Sequence, residues 1–266
     1  MKMPTDNSFF PWVTFILNQY WPMFLNGVGS TLLVALTGTV FGFLIGLLVA
    51  ILRTVPLRPG AKWYVKGPLK FLHVLIGIYI EVFRGTPMIV QAMVIYYGAM
   101  QFLNLNLSVT STAIFIVSIN TGAYMAEIIR GGILSIDKGQ REAATAIGLT
   151  HWQMMTGVVL PQAVRNIMPS IGNEFIVNIK DSSVLNVISL SELYFTSKSV
   201  AGTYYRYFEV FFITAMIYLF LTYTITRLLR LLEKKMDGPK HYNIYGSQSY
   251  SKAEIKVDES EAAPCD

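Results

Sequence analysis

Three polar residues in one apolar stretch, Glu174, Asn178 and Asp181, stand at i, i+4 and i+7, which is one face of a helix. A second stretch carries Asn120 and Tyr124 at i, i+4. Ionisable groups at membrane depth are costly and mark a pathway or a pairing. If the two stripes face each other, they enclose a polar pocket. Its carboxylates suit an ammonium or guanidinium group, and its amide and phenol add hydrogen bonds. The alternative use is structural pairing with Lys180 or with a neighbouring helix. For Glu81 with Arg84, and for Glu127 with Arg130, the i, i+3 spacing favours an intrahelical pair. The hydroxyls of Ser182 and Ser183 follow the fourth stretch, where a helix can loosen.

The elements that position these groups are membrane spans. The chain of 266 residues is 53% hydrophobic and 14% charged, with mean hydropathy +0.47, well short of the charge of a soluble domain. No cleavable leader is legible in residues 1–7. One cysteine, Cys265, excludes an internal disulfide, and His73, His151 and His241 are too scattered to suggest a metal site. The net charge of +5 fits positive loops against an anionic leaflet rather than nucleic acid.

Residues 8–26 are aromatic-rich and read as an interfacial lead-in. Residues 28–52 carry no charge and span about 37 Å as a helix. Gly38, Gly42 and Gly46 lie on one face of it, where another helix can approach closely. A basic loop holding Arg53, Arg58, Lys62, Lys66 and Lys70 follows. Residues 71–100 are interrupted by Gly85 and Pro87, which predicts an amphipathic approach helix, a break and a span over about residues 86–102. Spans over 109–129, 167–193 and 210–232 complete five, with residues 194–207 as an outer connection. The charge bias puts the amino terminus outside and the carboxyl terminus in the cytoplasm. The fold class is an all-α integral membrane bundle of five helices over residues 1–236. Residues 237–266 read as a disordered acidic tail.

Between the third and fourth spans lies a polar, helix-prone segment. Ile147, Leu149, Trp152 and Met155 are its apolar anchors. Such a short helix either docks in a groove on another protein or rests on the membrane surface.

This segment resembles the cytoplasmic signature of the ATP-binding-cassette importer permeases: E-A-A, three residues, G, nine residues, I, one residue, L-P. Here it reads Glu142, Ala143, Ala144, Gly148, Val158, Leu160 and Pro161, with valine for isoleucine as the one departure. Further strings look like the polar amino-acid branch of that family: FRGTP at 83–87, AEIIRGGI at 126–133, GQREAA at 139–144, LPQA at 160–163, NEFI at 173–176 and KDSS at 180–183. The last string has Ser182 where the family usually has threonine. The resemblance covers about residues 20–235.

The resemblance implies the type I importer permease fold in a bacterial cytoplasmic (inner) membrane. It implies two permease subunits, identical or homologous, above an ATP-binding-cassette ATPase dimer. An external solute-binding protein delivers a polar amino acid. Residues 139–157 become the coupling helix. The chain has no phosphate-binding loop of its own, so ATP and Mg are expected in the partner ATPase, and this chain is a transport subunit rather than an enzyme. The pocket positions Asn120, Tyr124, Glu174 and Asp181 are those implied to carry the substrate. A stand-alone secondary transporter or channel is the alternative; its usual paired repeats are not evident. A scaffold or sensor would leave Glu174 and Asp181 unexplained.

Overall fold

A glycine ladder and a run of apolar side chains build the central helix pair. The computed structural model describes residues 3–4, 8–54 and 63–237; Arg58, Lys62, His241, Cys265 and the acidic tail lie outside them. Helix α1 runs Phe9–Thr54 without interruption, through Pro22. The aromatic lead-in is therefore helical and continuous with the first span. Its rings bury against other helices: Trp12, Phe15, Ile16 and Phe24 share a core with Leu193, Val200, Val210 and Ile213.

Helix α2 (Trp63–Gly85) and helix α3 (Met88–Leu103) meet at a bend of 112°. The break falls at Thr86 and Pro87, as Gly85 and Pro87 predict. Helix α4 (Val109–Leu134) is the most buried of the long apolar helices. Two short helices follow, α5 (Lys138–Ala146) and α6 (His151–Met154), and a wide helical turn at Met155–Val159 leads into α7 (Leu160–Asp181). Helix α7 ends at Asp181 and tightens into a 3₁₀ segment, Ser182–Ile188. The fourth span thus stops twelve residues before the expected residue 193. Much of the expected outer connection is a helix, α8 (Leu193–Tyr204), and α9 (Tyr207–Asp237) closes the bundle. All regular elements among the described residues are helical.

Helix α8 escapes sequence reading because its start depends on a buried carboxylate. Glu192, with no exposed surface, accepts from the amides of Tyr194 (2.8 Å) and Phe195 (2.6 Å) and from the Tyr218 hydroxyl (3.1 Å). It caps the helix start and ties it to α9. Inside an apolar run it read as part of a span.

Helices α1 and α4 form the most extensive pairing in the bundle. At Gly42 a Cβ atom would stand 2.7 Å from Thr121 Cβ and 3.2 Å from the Gly122 amide nitrogen. Gly38 and Gly46 face Val117 and Met125 in the same way. In lipid, where apolar transfer gives no drive for helix association, such close packing supplies the attraction. Three helices, α1, α4 and α9, are long and apolar enough to cross a membrane alone, and the bent pair α2–α3 makes a fourth. Helix α7 carries Arg165, Glu174, Lys180 and Asp181 and is less apolar.

Gly42→Leu is expected to destabilise the protein by about 1–3 kcal/mol through overpacking, while Gly29→Ala, which meets nothing within 4 Å, leaves stability unchanged. Thermal unfolding of the two purified variants checks this; equal midpoints would remove the close-packing argument.

Candidate functional site

Pro87 has no amide hydrogen, so the carbonyl four residues earlier, Phe83 O, loses its helical donor. In lipid such a carbonyl must be satisfied from elsewhere. Two side-chain amides supply the donors. Gln91 Nε2 donates to Phe83 O (3.0 Å) and Thr86 O (2.9 Å). Asn120 Nδ2 donates to Phe83 O (3.2 Å) and to Gln91 Oε1 (2.9 Å). Asn120 therefore stands at the edge of the break with its amide nitrogen committed to it. Tyr79 clamps the same region: its hydroxyl donates to Ile119 O at 2.6 Å.

One helical turn beyond Asn120, Tyr124 lies under the guanidinium of Arg84, 5.4 Å from the ring centroid. The charges of Arg84 and Asp181 both act on Glu174. Arg84 thus joins Tyr124 beside the break that Asn120 braces, while Glu174 and Asp181 stand on α7, which packs against α4. Glu174 is half-buried and Asp181 exposed.

Asn178 does not join them. It is 3% exposed, and its Nδ2 donates to Thr39 Oγ1 (2.8 Å) and Thr121 Oγ1 (3.0 Å). Although it shares the stripe of Glu174 and Asp181 in a helical projection, it turns into the α1–α4 seam and joins three helices. Arg84 also departs from expectation. Among the described residues it makes no ion pair with Glu81 and lies over Tyr124 instead. Sequence reasoning missed Arg84 and Gln91 as site residues. For Gln91 the signal was Pro87, which orphans a carbonyl within reach. For Arg84 no local signal existed: it and Glu81 both lie within α2, and the Tyr124 ring it meets belongs to α4. The expected pair Glu127–Arg130 does form (2.7 Å), and Arg53 of α1 adds a second cation on Glu127.

The cytoplasmic-type segment is built differently. Asp137 accepts from Gly139 N (2.6 Å) and starts α5. Gly148 has φ +81°, a left-handed conformation that breaks the segment into two short helices. Ala144 turns inward and packs with Ile136, Met154, Val159 and Ala163, joined by Leu149 and Met155. Glu142, Ala143, Leu160 and Pro161 are exposed. Of the four apolar anchors, Leu149 and Met155 face inward, while Ile147 (77% exposed) and Trp152 (74%) face out.

The sequence pattern of the family described as binding-protein-dependent transport system inner membrane component matches residues 64–238. The chain belongs to this family. It is a multi-pass inner-membrane permease component of a transport system, and not itself the ATP-hydrolysing part. Over 216 residues it is 38% identical to the glutamine transport system permease protein of Escherichia coli K12, covering 81% of this chain and 93% of that one. Over 217 residues it is 34% identical to the arginine transport system permease protein of Bacillus subtilis 168, covering 82% and 94%. Among solved structures, an amino acid ABC transporter crystallised with histidines superposes with TM-score 0.76 at 37% identity, covering 88% of this chain and all of that one. An inward-facing methionine ABC transporter, at 22% identity and TM-score 0.66, shares the fold. The chain has the ABC importer permease fold.

Asn178→Ala is expected to lower stability by about 0.5–2 kcal/mol, the range of hydrogen bonds between membrane helices, with solute affinity retained. Thermal unfolding and a binding titration on the same preparation separate the two effects. Lost affinity at unchanged stability would return Asn178 to the pocket.

Proposed function

We propose that this permease binds and passes a polar amino acid, driven by a separate ATPase. One observation carries the reading: a cation, Arg84, lies over the Tyr124 ring, and its charge and that of Asp181 both reach Glu174. An α-amino acid carries one charge of each sign. Arg84 suits its carboxylate, because a guanidinium presents paired donors to two oxygens. Glu174 and Asp181 suit the α-ammonium or a cationic side chain, and Tyr124 offers a ring face to a cation. Asn120 braces the wall of this site. The glutamine and arginine permeases among its relatives support this substrate class.

The chain acts in this reading with a second permease subunit and an external solute-binding protein. The ATPase dimer holds ATP and Mg. Five spans are formed by α1, the α2–α3 pair, α4, α7 and α9, with the amino terminus outside and the carboxyl terminus in the cytoplasm. The segment around Glu142, Ala143, Ala144 and Gly148, continuing to Leu160 and Pro161, receives the ATPase. Outward-facing Ile147 and Trp152 give it apolar anchors, as a groove on a partner requires. Closure of the ATPases then moves this segment and rocks the bundle between inward and outward access.

Glu174→Gln and Asp181→Asn should each reduce amino-acid uptake by about tenfold or more, the scale of losing one charged contact, with subunit assembly intact. Arg84→Gln should erase the preference for an amino acid over its decarboxylated amine. Uptake and competition assays in vesicles read all three, and unchanged affinity in the acid variants would make those acids structural. Gly148→Val, strained by about 1–3 kcal/mol at its positive φ, and Glu142→Ala should weaken ATPase association. Normal transport-coupled ATP turnover in both would reject the coupling assignment.

A further inference from the structure

The groove between α7 and α9 carries charge that the transport site does not use. A cavity of about 300 Å³ opens there, lined by Ile176 and Lys180 of α7 and by Leu219, Tyr223, Arg227 and Arg230 of α9. No acid lines it. The ion pairs among the described residues involve Arg53, Arg130 and Arg206, and none engages these three cations. Asp181, next to Lys180 in sequence, feels the charge of Lys180 but neither lines the groove nor forms an ion pair with it. Arg227 lies over the Tyr223 ring, 4.9 Å from its centroid.

Geometry focuses the three charges. Gly172 faces Leu229, and Lys180 faces the stretch that begins at Leu219, so the two helices run antiparallel. Side chains lean toward the amino end of their own helix. The Lys180 stem therefore leans one way along the groove and the two arginines lean the other, toward a common centre. Depth identifies the occupant. Arg227 stands twenty residues into α9, which begins at Tyr207. That is about 30 Å along the axis, the thickness of the hydrocarbon core. Lys234 and Lys235 continue the basic end of the same helix. Above the arginines the groove is walled by Leu219, 60% exposed, and Ile176, apolar side chains of the kind that lie along an acyl chain.

We propose that this groove binds the phosphate of an anionic phospholipid from the leaflet at the carboxyl end of α9. Guanidinium groups match phosphate oxygens two at a time, and a phosphate at that depth neutralises Arg227 and Arg230, which form no ion pair among the described residues. The inference stands whether or not Glu174 and Asp181 hold the solute.

Native mass spectrometry of the complete transporter in mixed micelles tests it, with phosphatidylglycerol and phosphatidylcholine as probes. Wild type is expected to retain phosphatidylglycerol selectively. Arg227→Gln with Arg230→Gln should weaken that retention about tenfold or more, the effect of removing two cations near a membrane surface, at unchanged subunit count. Equal retention of both lipids, or undiminished retention in the double variant, overturns the proposal. So does displacement of the lipid by excess inorganic phosphate, which would mark a free-anion site. A Tyr223→Cys cross-link between two copies overturns it as well, because the groove would then be a subunit interface. If the double variant does not fold, the wild type decides: its thermal midpoint should be higher in phosphatidylglycerol than in phosphatidylcholine vesicles, and equal midpoints sink the idea.

Discussion

Close approach of α1 and α4 is the constraint on which the rest of the bundle depends. Gly38, Gly42 and Gly46 remove the side chains that would hold the helices apart, and Asn178 then reaches both, through Thr39 and Thr121. In hydrocarbon a misplaced helix would leave that amide unsatisfied. The hub therefore sets the register of α7 against the central pair. Once α4 is seated on α1 by Thr121, its neighbours Asn120 and Tyr124 face the broken helix. Once α7 is seated by Asn178, Glu174 one turn before it and Asp181 one turn after it are fixed as well.

The break at Thr86 and Pro87 is the second determinant. A proline in a membrane helix removes one hydrogen bond, and the protein uses the vacancy. Gln91 and Asn120 satisfy Phe83 O and in doing so join α2, α3 and α4 at one point. Arg84, in the last turn of α2 before the bend, lies over Tyr124 of α4.

The segment between α4 and α7 shows the same division between inside and outside. Ala144, Leu149 and Met155 hold it to the bundle, while Ile147 and Trp152 remain outward. Inward and outward side chains alternate along a few residues, on either side of the left-handed turn at Gly148.

Much of this was legible in the sequence. Apolar runs gave the long helices, Gly85 and Pro87 gave the break, the glycine spacing gave the close-packed face, and the signature around Glu142 gave the family. These are local properties: propensity, period and missing donors act within a turn or two of chain. Tertiary structure decided the remainder. Helical periodicity put Asn178 with Glu174 and Asp181, but only packing shows that it turns into the seam. Spacing paired Arg84 with Glu81, and only packing shows that it lies over Tyr124 of α4. The end of α7 at Asp181 and the start of α8 at Glu192 were hidden in one apolar run, because the carboxylate that caps α8 is buried by α9 and satisfied by Tyr218. A helix face is about a hundred degrees wide, so sequence names the residues that share it. Which neighbour each one meets depends on contacts far along the chain.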